Sequence, residues 1–251
     1  MSRIPLTQGA YTAKSLIASC QRAVNLYLEP NPPDAPAPFT HYMTPGTLPK
    51  VQPSVGVVRG IYRASNGNLY IVVAQVVYAV ASDYTATQIG TLTAPRSTPV
   101  SMADNGTTIV LVDGSSDGYA ITMADNTFAS IVDEAFYGAD RVDYVDTFFL
   151  FNKPGTNIFY TSDSNAITFD PLYFAAKVGY PDPIQTLAVM HREIWLIGTL
   201  TSEVWFNDGG ANFPFSIMAG TFIEHGCCAK YSLAKFFTEL FWLSQDLEGR
   251  A

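Results

Sequence analysis

The run Asp113-Gly114-Ser115-Ser116-Asp117-Gly118 sets oxygen atoms at the first, third and fifth places of a calcium loop and glycine at the sixth. Its twelfth place is Ala124 instead of glutamate, so the bidentate ligand is missing and the run reads as a tight hairpin turn. Asp140, Asp143 and Asp146 bring three carboxylates close together, the raw material of a glycosidase pair. Positions three apart on a strand point to opposite faces, so neighbours in this trio share no site without a bulge; solvated turns and edges account for them better. His191 and Glu193 ahead of Cys227 and Cys228 have half of a zinc deaminase pattern, but the Pro-Cys-x-x-Cys half is absent. His225, Cys227 and Cys228 also lack the spaced cysteine pair of a structural zinc site. Trp195, Trp205 and Trp242 could stack on a sugar, yet their places in repeated strands favour packing. With no Gly-rich phosphate loop and no Gly-x-Ser-x-Gly elbow, the chain is read as no enzyme, and no catalytic, cofactor or metal residue is assigned.

The elements that hold these residues repeat. Leu69-Tyr70-Ile71-Val72, Ile109-Val110-Leu111-Val112, Phe148-Phe149-Leu150-Phe151, Ile194-Trp195-Leu196-Ile197 and Leu240-Phe241-Trp242-Leu243 recur about every forty residues. A polar turn and a second aromatic strand follow the first four: Val77-Tyr78-Ala79-Val80, Gly118-Tyr119-Ala120-Ile121, Ile158-Phe159-Tyr160 and Val204-Trp205-Phe206. A small sheet repeated at this period buries its faces only against its neighbours, which predicts an all-β fold, a β-propeller. Asn66-Gly67, ahead of the strand at Leu69, predicts a type I′ hairpin. Residues 161–169 are similar to the aspartate-box turn of sialidase-like propellers, a folding device of the outer hairpin. Four complete units are expected from residue 56 onward, and a partial fifth follows, built from Tyr231-Ser232-Leu233-Ala234 and the strand at Leu240. That last strand is expected to lack a hairpin partner within the chain and to need cover, which marks Phe241 and Trp242 as interface candidates.

Residues 1–55 differ. Prolines at 30, 32, 33, 36 and 38 remove amide donors and exclude a helix or a central strand. This stretch is read as an extended N-terminal arm, docked on its own propeller or on a neighbouring subunit through Leu16, Ile17, Leu26 and Tyr27.

A chain of 251 residues with 48% apolar and 14% charged residues can bury a sizeable core. Its net charge of -8 and the absence of a basic run exclude the sequence-independent phosphate attraction of an ordinary DNA binder. No stretch approaches the ~20 apolar residues of a membrane span, and Met1-Ser2-Arg3-Ile4-Pro5 opens no signal core, so no secretion is expected. Three cysteines, Cys20, Cys227 and Cys228, two of them adjacent, suit a reducing site of synthesis.

Several segments are more specific than this pattern. They are residues 98–106, residues 136–144, residues 168–175, residues 188–199 with 201–207, and Phe222-Ile223-Glu224-His225-Gly226-Cys227. Together they resemble the packaged-DNA stabilisation protein of short-tailed bacteriophages, the tail hub or tail nozzle, over nearly the whole chain. The resemblance implies a structural virion protein made in the host cytoplasm and a homo-hexameric ring under the portal and its adaptor. It further implies docking sites for tail fibres or spikes and a plug, and a conduit through which DNA leaves without sequence-specific binding. Relative to that family the C-terminal blades are missing. A carbohydrate-binding or carbohydrate-cleaving propeller acting on a host surface is the alternative.

Overall fold

A computed structural model describes residues 25–211 and 213–250; Leu16, Ile17 and Cys20 lie outside them. The chain divides into two compact units at Lys50 and Val51. In the first, β1 (Leu26–Pro30) pairs antiparallel with β2 (Phe39–Met43). Pro32, Pro33, Pro36 and Pro38 fall in the connection, where their missing donors cost no ladder bond, and Pro30 is the last residue of β1. Asn31 bridges that connection, its side-chain amide donating to the Ala37 carbonyl while its side-chain oxygen accepts from the Thr40 hydroxyl.

The second unit is all-β and carries four consecutive four-stranded antiparallel sheets. Blade one is β3 (Val58–Arg63), β4 (Leu69–Val73), β5 (Val76–Val80) and β6 (Ala86–Thr91). Blade two is β7 (Ser101–Asp104), β8 (Thr108–Val112), β9 (Gly118–Thr122) and β10 (Thr127–Ser130). Blade three is β11 (Val142–Val145), β12 (Phe148–Asn152), β13 (Ile158–Thr161) and β14 (Phe174–Ala176). Blade four is β15 (Ile184–Met190), β16 (Glu193–Gly198), β17 (Ser202–Asn207) and β18 (Phe215–Ile217). The recurring pairs of the sequence are the second and third strands of each blade. They are buried on both faces, which is why they read as unbroken apolar runs instead of alternating ones.

First strands adjoin first strands, β7 beside β11 and β11 beside β15, as at the inner edge of a propeller. The cores lie between blades. Tyr70, Val72 and Val77 of blade one share a cluster with Ile109, Leu111 and Tyr119 of blade two. Val110 and Val112 meet Phe149, Phe151 and Tyr160, and Leu150 and Phe159 meet Leu187, Leu196 and Trp205.

Two expectations change. Asn66-Gly67 does make a hairpin, but only Gly67 has positive φ, at 86°, and its N–H donates to the Ala64 carbonyl. That is a type I turn followed by a left-handed glycine, the three-residue solution, in place of type I′. Both central residues are left-handed instead at Asp146-Thr147 and His191-Arg192, where no glycine advertises it.

The strand at Leu240 has its partner within the chain. β20 (Ala234–Phe236) pairs with β21 (Glu239–Phe241), and β19 (His225–Cys227) pairs with β22 (Ser244–Asp246). The turn that closes on the Ala229 carbonyl through the Ser232 N–H leaves Leu233 to enter the core with Ala188 and Ile197, and the strand pairing begins only at Ala234.

One glycine is decisive for blade contact. Gly138 has a φ of 74°, and a Cβ there would collide with the backbone of Ser115 and Ser116. Gly138→Ala is therefore expected to cost at least about 1–3 kcal/mol from the backbone conformation alone. Urea unfolding would measure it, and a loss under half a kilocalorie would contradict the packing described.

Candidate functional site

The chemistry-bearing residues separate into ion pairs that tie blades together. Asp113, at the end of β8, accepts from the Arg59 guanidinium at 2.9 Å, and both side chains are fully buried. Arg59 sits at the bulge of β3, and its other nitrogens donate to the Thr98 and Ala74 carbonyls, so one side chain holds blades one and two. Burial raises the Asp113 pKa, but the Ser115 hydroxyl and Arg59 outweigh it and hold the carboxyl below its ordinary value. The Asp113-to-Gly118 turn thus spends its first carboxylate on an arginine and its Ser115 N–H and hydroxyl on that same carboxylate.

Asp140, Asp143 and Asp146 do not converge. Asp140 is buried, accepts from the Asn152 side-chain amide, and pairs with Lys230 at 2.9 Å. Asp143 accepts from the Val189 N–H of β15 and from Lys235 of β20. Asp146 pairs with Arg192 at 2.8 Å. The expected solvated turns and edges hold only in part. Each carboxylate has a separate cation, and Asp140 is buried beside Gly114 and Asn152 with its cation supplied by the C-terminal segment.

A second buried pair closes the junction of blades three and four. Lys177 donates to Asp182 and to the Thr201 hydroxyl, while Asp182 also accepts from the Leu200 and Thr201 N–H groups. Burial pushes the Asp182 carboxyl up, and the Leu200 N–H, Lys177 and Thr201 more than reverse it, leaving it lowered. Glu203, fully buried in β17, accepts from the Val178 and Gly179 N–H groups and from the Trp205 indole. Sequence reasoning missed Arg59, Lys177, Asp182, Glu203, Lys230 and Lys235. The available signal was a charge inside an apolar run, as in Val57-Val58-Arg59-Gly60-Ile61.

His191 lies in the β15–β16 turn and Glu193 opens β16, whereas Cys227 lies buried in β19; Cys227 and the exposed Cys228 are both free thiols. No group of three metal-ligating side chains occurs among the described residues. Trp205 is buried between blades three and four, and Trp195 and Trp242 pack with Leu233 and Leu240 beside blade four. Of the interface candidates, Leu26 is 39%, Tyr27 49% and Phe241 50% exposed, while Trp242 is half-buried and donates to the Gly226 carbonyl. Tyr27 stacks on Tyr42 across its own hairpin. Among the described residues, no helix is long and apolar enough to cross a membrane.

A model of the family Phage_stabilise, described by bacteriophage P22 Gp10 and a beta-propeller, matches residues 2–251. No curated protein matches the chain.

Proposed function

The chain belongs to the phage-stabilisation family of the bacteriophage P22 Gp10 β-propeller, and on that premise we propose that it is the tail hub, or nozzle, of a short-tailed phage. In this reading it closes the portal exit, retains packaged DNA and forms part of the conduit for ejection. It works as a homo-oligomeric ring, with portal adaptor, fibre or spike, and plug as neighbours. Leu26, Tyr27, Phe241 and Trp242, with Leu16 and Ile17, are the contact residues proposed for that ring.

The observation that supports this reading is the fate of the cations. Arg59, Lys177, Arg192, Lys230, Lys235 and Arg250 each face a carboxylate. Lys153 lies over the Tyr137 ring. Seven of the fourteen lysines and arginines are engaged in this way in a protein of net charge -8 whose sequence has no basic run, and affinity for DNA falls with each phosphate contact not made. A wall of this kind lets DNA pass without gripping it. Heads filled with DNA but assembled without this protein are expected to lose DNA to added nuclease, and the purified chain should restore resistance. Resistance that is unchanged by the protein, with native mass spectra showing only a 27.3 kDa monomer, would remove the hub reading.

A further inference from the structure

Between the β15–β16 turn of blade four and the β20–β21 hairpin lies a cleft of about 330 Å³. Its lining includes Trp195, Leu240 and Trp242, with His191, Glu193 and Glu239. Three observations set this cleft apart. First, the carboxylates of Glu193 and Glu239 take part in no hydrogen bond or ion pair among the described residues, whereas Asp113, Asp140, Asp143, Asp146 and Asp182 each hold a cation. Second, no lysine or arginine lines the cleft. Third, the Trp195 indole N–H is buried and meets no acceptor among the described residues, and a buried donor left so costs about 1–3 kcal/mol.

We propose that this cleft binds an arginine-bearing peptide segment of a partner protein. The guanidinium is planar and weakly hydrated. It stacks on an indole face while its fork of donors reaches carboxylates in the same plane, which an ammonium cannot do. Glu193 and Glu239 supply the charge, and Trp195 and Trp242 the aromatic surface. A sugar would use the indoles but would leave two negative charges unneutralised. The cleft shares Phe241 and Trp242 with the ring contacts proposed above, but its test reads peptide binding and not assembly, so its failure leaves the hub reading standing.

The test uses the full chain, labelled so that the Trp195 indole resonance is resolved. The probes are blocked Gly-Arg-Gly, the same peptide with citrulline in place of arginine, and a neutral glucan oligosaccharide. The arginine peptide is expected to move the Trp195 resonance saturably and to lose affinity as salt is raised. Citrulline is expected to bind roughly tenfold more weakly, a difference within the range of a desolvated cation–π contact with its ion pair. Glu193→Gln and Glu239→Gln should each weaken the arginine peptide roughly threefold or more, with near-ultraviolet dichroism showing the fold retained. Should either variant fail to fold, the salt dependence and the citrulline comparison on the unaltered chain decide. Equal response to arginine and citrulline, or no response to either, overturns the proposal. A response to the glucan alone overturns it in favour of carbohydrate binding.

Discussion

Replacing Arg59 by Ala is expected to destabilise the blade stack by about 3–5 kcal/mol, because it leaves the buried Asp113 carboxylate without its cation. Against a typical total of about 5–15 kcal/mol, that loss unfolds a large part of the population under mild denaturant. The double change Arg59→Met with Asp113→Leu removes both charges and should recover most of the stability, which separates an orphaned charge from lost packing. The pH dependence carries a sign. The folded Asp113 and Asp182 carboxyls titrate below their ordinary values, so their contribution is fully present above the unfolded value of about 3.9 and is lost as pH falls through the folded ones. Without Arg59 its hydrogen bond and charge no longer oppose burial, the Asp113 pKa rises from its folded value, and acid unfolding should begin at higher pH. Urea titrations at neutral pH and an acid titration followed by near-ultraviolet dichroism check both statements. An Arg59→Ala variant as stable as the parent chain would show that the pair does not hold blades one and two.

Phe151→Ala is expected to cost a similar amount, about 3–5 kcal/mol, by a different route. Phe151 is fully buried in β12 and stacks on Tyr160 at 5.2 Å, with Phe136 and Phe169 edge-on at 5.6 Å. These rings belong to the cluster that joins blade three to Val110 and Val112 of blade two, so a cavity there loosens two sheets at once. Leu172, 75% exposed in the loop before β14, is the control: its change to Ala should stay within about half a kilocalorie. If the two variants unfold at the same urea concentration, the inter-blade cluster is not what stabilises the domain.

The parts of the fold legible in the sequence are those whose signal is local. β4, β8, β12 and β16 declare themselves because burial on both faces demands an apolar run, and the returning strands share the property. Fourth strands were not individually legible: Thr127-Phe128-Ala129-Ser130 and Phe174-Ala175-Ala176 are short, largely exposed edges with little to bury. Asn66-Gly67 announced a hairpin but not its geometry, since Gly67 satisfies a left-handed need in either turn class. The fifth unit was misjudged because its first strand, Ala234–Phe236, is exposed throughout and carries Lys235, so nothing in its pattern marks it as the partner of Leu240. The ion pairs were invisible for another reason. Arg59 meets Asp113, and Asp140 meets Lys230, only once blades are stacked, and no spacing rule relates residues in different sheets.

The reach of Lys230 and Lys235 back to Asp140 and Asp143 bears on the order in which the protein can be made. Blade three leaves the ribosome complete in its own hydrogen bonds, yet with a carboxylate destined for burial and no cation to meet it. At roughly 5–20 residues per second, several seconds pass before the lysines emerge. During that interval Asp140 must stay hydrated, so blade three cannot settle into its final packing however early its strands pair. Nascent chains arrested short of Lys230 should therefore remain open to proteolysis near Asp140, while blades one and two, already joined through Arg59 and Asp113, resist it.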